Sequence, residues 1–224
     1  MSQSTRAPWD VGRFLQTLNF FDTIPLVSCL RKMFFGSTPS PTPPQPQAGV
    51  LFDFSQPTSE LNQIWGALDD VVMGGVSNSS IRQEDGAALF TGQVSTANSG
   101  GFASVRTRNF EPPLDLSGHS GLQLRLQGDG KRYKFLVRDE STWDSIAYTH
   151  SFDTVANEWI TVQIPFAELT PVFRAKTVHP AQPLNVAQIR AFQLMLSKFE
   201  YDGGLNPHFS PGEFQLRVQS ISVY

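Results

Sequence analysis

An all-β fold, an antiparallel jelly-roll sandwich preceded by an N-terminal amphipathic helix, is what this 224-residue chain predicts. Three observations carry that reading. Apolar and polar residues alternate in several separate runs, the period of a strand with one buried face. Seventeen glycines and sixteen prolines punctuate those runs at the short intervals that tight turns require. Past residue 36, no long helical pattern competes with them.

Residues 1–36 are the exception. In "VGRFLQTLNFF", Val11, Phe14, Leu15, Leu18 and Phe21 recur at helical spacing, with Asp10, Arg13, Gln16 and Asn19 largely on other faces. Pro25 interrupts the pattern, because it has no amide hydrogen and disfavours helical geometry before it. A second short turn would carry Leu26, Leu30 and Met33. Arg6, Arg13, Arg31 and Lys32 against Asp10 and Asp22 leave this segment at +2 in a chain of net charge −3. An aromatic-rich, mildly basic helix suits a membrane interface or a partner protein. Trp9, Phe14, Leu18, Phe21, Leu30, Arg31 and Lys32 are its candidate docking residues. The competing reading seats the same face on the protein's own core, and a transit peptide is a weaker third.

Residues 37–49 contain "STPSPTPPQPQ", uncharged and with five prolines. Such a run favours extended polyproline geometry and builds no core, so it reads as a semi-rigid linker that detaches the helix from the rest of the chain.

Residues 50–224 form the sandwich. Leu122, Leu124 and Leu126 alternate with Gln123, Arg125 and Gln127; after a hairpin turn at Gly128–Gly130, Tyr133, Phe135 and Val137 share a face. Ile160, Val162 and Ile164 come next, then Phe192, Leu194 and Leu196. In the last strand Phe214, Leu216 and Val218 alternate before the apolar phase shifts to Ile221 and Val223, as a β-bulge would cause.

Several chemistries lack their residues. The single cysteine, Cys29, forms no internal disulfide and suits a reducing compartment. The net charge advertises no nucleic-acid partner. "GDGKRY" imitates a dinucleotide loop but has Tyr133 in place of the third glycine. His119, His150, His179 and His208 are scattered, with no ligand spacing between them, and no metal or cofactor is expected. No run is long enough to span a membrane as a helix.

The stretch "WGALDDVVMGGVS" holds the most suggestive residues. Asp69 and Asp70 precede Met73, Gly74 and Gly75. As an acid/base pair they would have to enter one cleft, whereas neighbours on an extended segment point apart. Three readings remain: a structural loop with a carboxylate on its amides, a partner-binding edge, or calcium ligands. A second glycine pair, Gly100 and Gly101, precedes Arg106 and Arg108, which fall on one side of a strand where an acidic partner could dock.

Taken with "FTGQVSTANSGGFASVRTR", "GLQLRLQGDGKRYKFLVRD" and "NEWITVQIPFAELTPVFR", the stretch resembles the family named for complex I intermediate-associated protein 30, over roughly residues 51–224. The resemblance implies a galactose-binding-domain-like β-sandwich, shaped like carbohydrate-binding modules. It also implies a non-catalytic assembly or chaperone role for a membrane-embedded electron-transfer complex, respiratory or photosynthetic. Partners would be subunits or intermediates of that complex. The expected location is peripheral, on a cytoplasm-facing bacterial membrane or a thylakoid rather than in another organelle. The alternative is a carbohydrate- or small-ligand-binding module that stacks rings on Trp65, Trp143, Tyr148 or Trp159.

Overall fold

The computed structural model describes residues 7–21, 41–44, 49–142 and 144–224. Thirteen strands are found among them: β1 (Val50–Asp53), β2 (Trp65–Ala67), β3 (Asn78–Glu84), β4 (Ala87–Val94), β5 (Phe102–Thr107), β6 (Gly121–Gln127), β7 (Arg132–Arg138), β8 (Ala147–Asp153), β9 (Trp159–Pro165), β10 (Thr170–Phe173), β11 (Lys176–Thr177), β12 (Ala191–Ser197) and β13 (Gly212–Val223). The first sheet runs β3-β4-β13-β6-β9, with β1 also paired to β13; the second runs β11-β10-β8-β7-β12-β5-β2. The pairings within both sheets are antiparallel. The result is the expected β-sandwich.

Alternation sets the inner faces. Leu122, Leu124, Leu126, Phe90, Leu216 and Ile221 from the first sheet meet Tyr133, Phe135, Val137, Phe192, Leu194 and Leu196 from the second, all buried. Phe192 packs on Phe52, Phe110 and Phe135 at centroid separations of 6.4, 5.6 and 5.5 Å. The phase shift in β13 is a bulge: the register with β6 slips between Val218 and Ser220, which returns Ile221 and Val223 to the core.

Two local expectations give way. The turn at Gly128–Gly130 is not a hairpin, because β6 belongs to the first sheet and β7 to the second. It is an arch between layers, held by the Asp129 carboxylate, which accepts bonds from the Lys131 amide, the Tyr133 hydroxyl and the Gln215 amide. The second concerns the N-terminus. Helix α1 (Val11–Phe20) starts at Asp10, whose side chain accepts from the Arg13 amide at 3.0 Å. It does not stand apart from the sandwich. Thr17 is buried, and the Phe20 ring lies so close over Gly66 that an added Cβ would meet it at 2.4 Å. Among the described linker residues, Pro43 is buried and the Pro41 carbonyl accepts a bond from the Glu111 amide at 3.4 Å.

The helix therefore turns Arg13, Thr17 and Phe20, at i, i+4 and i+7, towards the domain. Phe14, Leu18 and Phe21 are half-buried, while Trp9, Val11 and Leu15 keep 43%, 50% and 51% of their surface. Leu30, Arg31, Lys32, Cys29 and Trp143 lie outside the described residues. Among the described residues no helix is long and apolar enough to cross a membrane.

Candidate functional site

Asp69 closes an extended stretch after β2, and Asp70 opens the 3-10 turn Asp70–Met73. That change of backbone sends the two carboxylates to different partners. Asp69 Oδ1 accepts from the Ser79 hydroxyl at 2.6 Å and the Ser104 amide at 2.9 Å; its Oδ2 accepts from the Ser79 amide at 2.9 Å and Arg13 Nη2 at 3.0 Å. Asp70 Oδ1 accepts from the Ser77 amide at 2.9 Å. Its Oδ2 accepts from the Ser77 hydroxyl and the Gly101 amide, both at 2.7 Å, and from the Phe102 amide at 3.3 Å. Both residues are essentially sealed, 1% and 0% exposed.

Every carboxylate oxygen thus faces an N–H or O–H. Donors so placed satisfy the lone pairs a calcium ion would need, so this pair does not fit a cation site. Among the described residues no three His, Cys, Asp or Glu side chains gather as a metal ion would require. The pair ties the turn after β2 to the starts of β3 and β5. Burial pushes the Asp69 carboxyl up to about 6, against the lowering effect of the Ser79 and Ser104 bonds and of Arg13.

The glycines are explained by the same packing. A Cβ on Gly75 would lie 2.3 Å from the Asp70 carboxyl, and one on Gly100 would lie 2.4 Å from Oδ2, so neither position admits a side chain. Gly74 ends the 3-10 turn in the left-handed region, and Gly101 supplies an amide to Asp70. Met73, the last residue of that turn, is 70% exposed.

Arg106 does not serve as the expected landing point for an acidic partner. It is 2% exposed; Phe21 lies against its guanidinium at 5.8 Å, and Asn109 accepts from Nη2 at 2.9 Å. Burial, and secondarily Arg138, pull its pKa down to about 9. Arg108 stacks on Phe20 at 4.4 Å. Of the ring-stacking candidates, Trp65 and Tyr148 are buried at 2% and 5%, and Trp159 is half-buried beside Arg125.

The residue that sequence reasoning passed over is Arg13. Besides Asp69 it donates to the Ser77 carbonyl at 3.2 Å and the Ser79 carbonyl at 3.4 Å. Trp9 Nε1 donates to the Val71 carbonyl at 2.8 Å, and Asn98 Nδ2 bonds the carbonyls of Ala7 and Gly74. Ser77, Ser79 and Ser104 were also missed. The one signal available was Ser77-x-Ser79, two hydroxyls at alternate positions shortly after the aspartates. A groove of about 520 Å³ adjoins this contact, lined by Pro8, Asp10, Arg13, Val71, Ser80 and Thr91 among others.

A two-layer sandwich with its most distinctive motif spent on loop closure has the shape of a carbohydrate-binding module. The family 11 module of the cellulosomal cellulase Lic26A-Cel5E of Clostridium thermocellum matches with a TM-score of 0.53 at 13% identity, covering 78% of this chain and 92% of that one. The family 11 module from Clostridium thermocellum in complex with a β-1,3-1,4-mixed-linked tetrasaccharide gives 0.52 at 14% identity, covering 77% and 92%. At such identities the likeness is one of fold. The chain belongs to the Complex I intermediate-associated protein 30 (CIA30) family, whose model matches residues 52–218. A relative from Schizosaccharomyces pombe, uncharacterized protein C9E9.15, is 32% identical over 188 residues, covering 77% of this chain and 83% of its own.

Proposed function

We propose that this chain is a non-catalytic assembly factor that holds an intermediate of a membrane-embedded electron-transfer complex at the membrane surface. Family membership supports the client class. The observation that carries the contact surface is the exposure of Met73 at the tip of a loop whose carboxylates are wholly engaged below it. A rigid loop presenting a flexible thioether, with Trp9, Val11 and Leu15 exposed on the neighbouring helical segment, suits an apolar protein partner. A sugar-binding role has the fold likeness behind it, but two of its four candidate rings are core residues.

The test is an affinity capture from detergent-solubilised host membranes with the full chain and with Met73→Asp. Subunits of one membrane complex should co-purify with the unaltered chain and be depleted about tenfold or more by the charge. Equal recovery by both proteins, or recovery of no membrane subunit by either, overturns the reading.

A further inference from the structure

Arg13 and Asp69 come from different parts of the molecule. Asp69 lies inside the matched family region, residues 52–218, and helix α1 lies outside it. The burial is just as uneven: the Asp69 side chain is 1% exposed and that of Arg13 is 29%. The acceptors belong to the sandwich alone. They are Asp69 Oδ2 and the carbonyl oxygens of Ser77 and Ser79, at 3.0, 3.2 and 3.4 Å from the guanidinium. Ser79 and Ser104 hold the carboxylate from behind, so the seat does not depend on the helix for its geometry.

Three acceptors spread around one planar cation match a guanidinium and its fork of donors; a lysine ammonium would reach them only as a point charge. One of the three is the Ser79 carbonyl in β3, an edge strand of the first sheet, and another is that of Ser77 just before the strand. The occupant of the seat therefore also covers part of an open sheet edge. The helix that now supplies it is ten residues long with one buried residue, Thr17, and an isolated helix of that length is marginal in water. The groove beside Arg13 is also lined by Ser77 and Ser79, while Asp69 stays covered behind them.

We propose that Asp69 with the Ser77 and Ser79 carbonyls is an arginine-receptor site of the sandwich, filled in cis by Arg13, and that helix α1 is its exchangeable ligand. The ligand class is an arginine side chain in the first turn of an amphipathic helix. A second helix of that kind competes with α1 for the same seat and, on winning, frees the N-terminal segment. The seat itself lies apart from Met73, although release of α1 would also carry Val11 and Leu15 away from the apolar surface beside it.

The experiment uses the full chain with Arg13→Ala and a fluorescent peptide of residues 7–21. The peptide should bind the variant about fivefold more tightly than the unaltered protein, whose own helix blocks the seat. Peptides carrying Arg13→Ala or Arg13→Lys should lose most of that binding, as should a protein that also carries Asp69→Asn. Equal affinity for both proteins, indifference to the arginine, or no binding to the variant overturns the proposal. A second measurement needs no variant. In hydrogen exchange on the unaltered chain, millimolar ethylguanidinium should accelerate the amides of Val11–Phe20 and leave β12 and β13 unchanged, whereas ethylammonium should not. The same response to both ions also overturns the proposal. None of these readouts involves a client complex, so they leave the assembly reading to its own test.

Discussion

Asp69 and Asp70 are neighbours in sequence, equally buried, and differ in what completes them. Asp70 is answered wholly within the sandwich, by Ser77, Gly101 and Phe102. Asp69 is answered by Ser79 and Ser104 and then by a cation from a helix 56 positions earlier. The first is an internal bolt, and the second is a joint between the sandwich and its N-terminal extension. The difference teaches that burial alone does not assign a role to a carboxylate; the origin of its donors does.

Breaking the bolt should have the largest effect. Asp70→Ala removes the acceptor for three backbone amides and a hydroxyl in a sealed site, and buried donors without acceptors are costly. A loss of about 3–5 kcal/mol is expected in urea unfolding, enough to leave little folded protein from a domain of ordinary stability. Gly100→Ala attacks the same bolt from outside. Its Cβ would press on Asp70 Oδ2 at 2.4 Å and on the Ala97 carbonyl at 3.0 Å, so the carboxylate must shift off the Gly101 amide. About 2–3 kcal/mol should be lost, by the same measurement, and a thermal midpoint within about a degree of the unaltered protein would show the loop to be softer than its contacts imply.

How much of this was legible in the sequence depends on the range of each interaction. Strand faces were, because Leu122, Leu124 and Leu126 or Phe192, Leu194 and Leu196 declare their side of a sheet within one strand. The bulge before Ile221 was too, since a change of phase is local. Strand partners were not: a turn such as Gly128–Gly130 has the same composition whether it folds back within a sheet or crosses to the other. The helix was misjudged for a related reason. Its apolar residues mark a face, but the docking face was chosen by Arg13 and Phe20 meeting Asp69 and Gly66, pairs that no local pattern links. Ser77, Ser79 and Ser104 escaped notice because a serine advertises a donor wherever it stands.

The smallest effect, and the one that separates joint from bolt most cleanly, is the dependence of Arg13→Ala on pH. Asp69 titrates at about 6 in the folded chain against a reference of 3.8. The folded state therefore holds its proton more tightly than the unfolded state, so Asp69 makes stability fall as pH rises through that window and level off above it. Arg13 opposes the fall by favouring the charged form; the other acids nearby are Asp70, which faces the loop amides, and Asp10, which caps the helix. Its removal should cost about 1 kcal/mol near pH 8, discounted for a cation partly open to solvent, and less near about pH 4, where Asp69 is protonated with or without its partner and only the bonds to the Ser77 and Ser79 carbonyls are lost. Urea midpoints of the unaltered chain and Arg13→Ala should then diverge with rising pH, and should stay parallel when both also carry Asp69→Asn. A gap that is constant across pH would mean that Arg13 holds the helix by packing and by the Ser77 and Ser79 carbonyls, and that the charge of Asp69 is balanced by its amides alone.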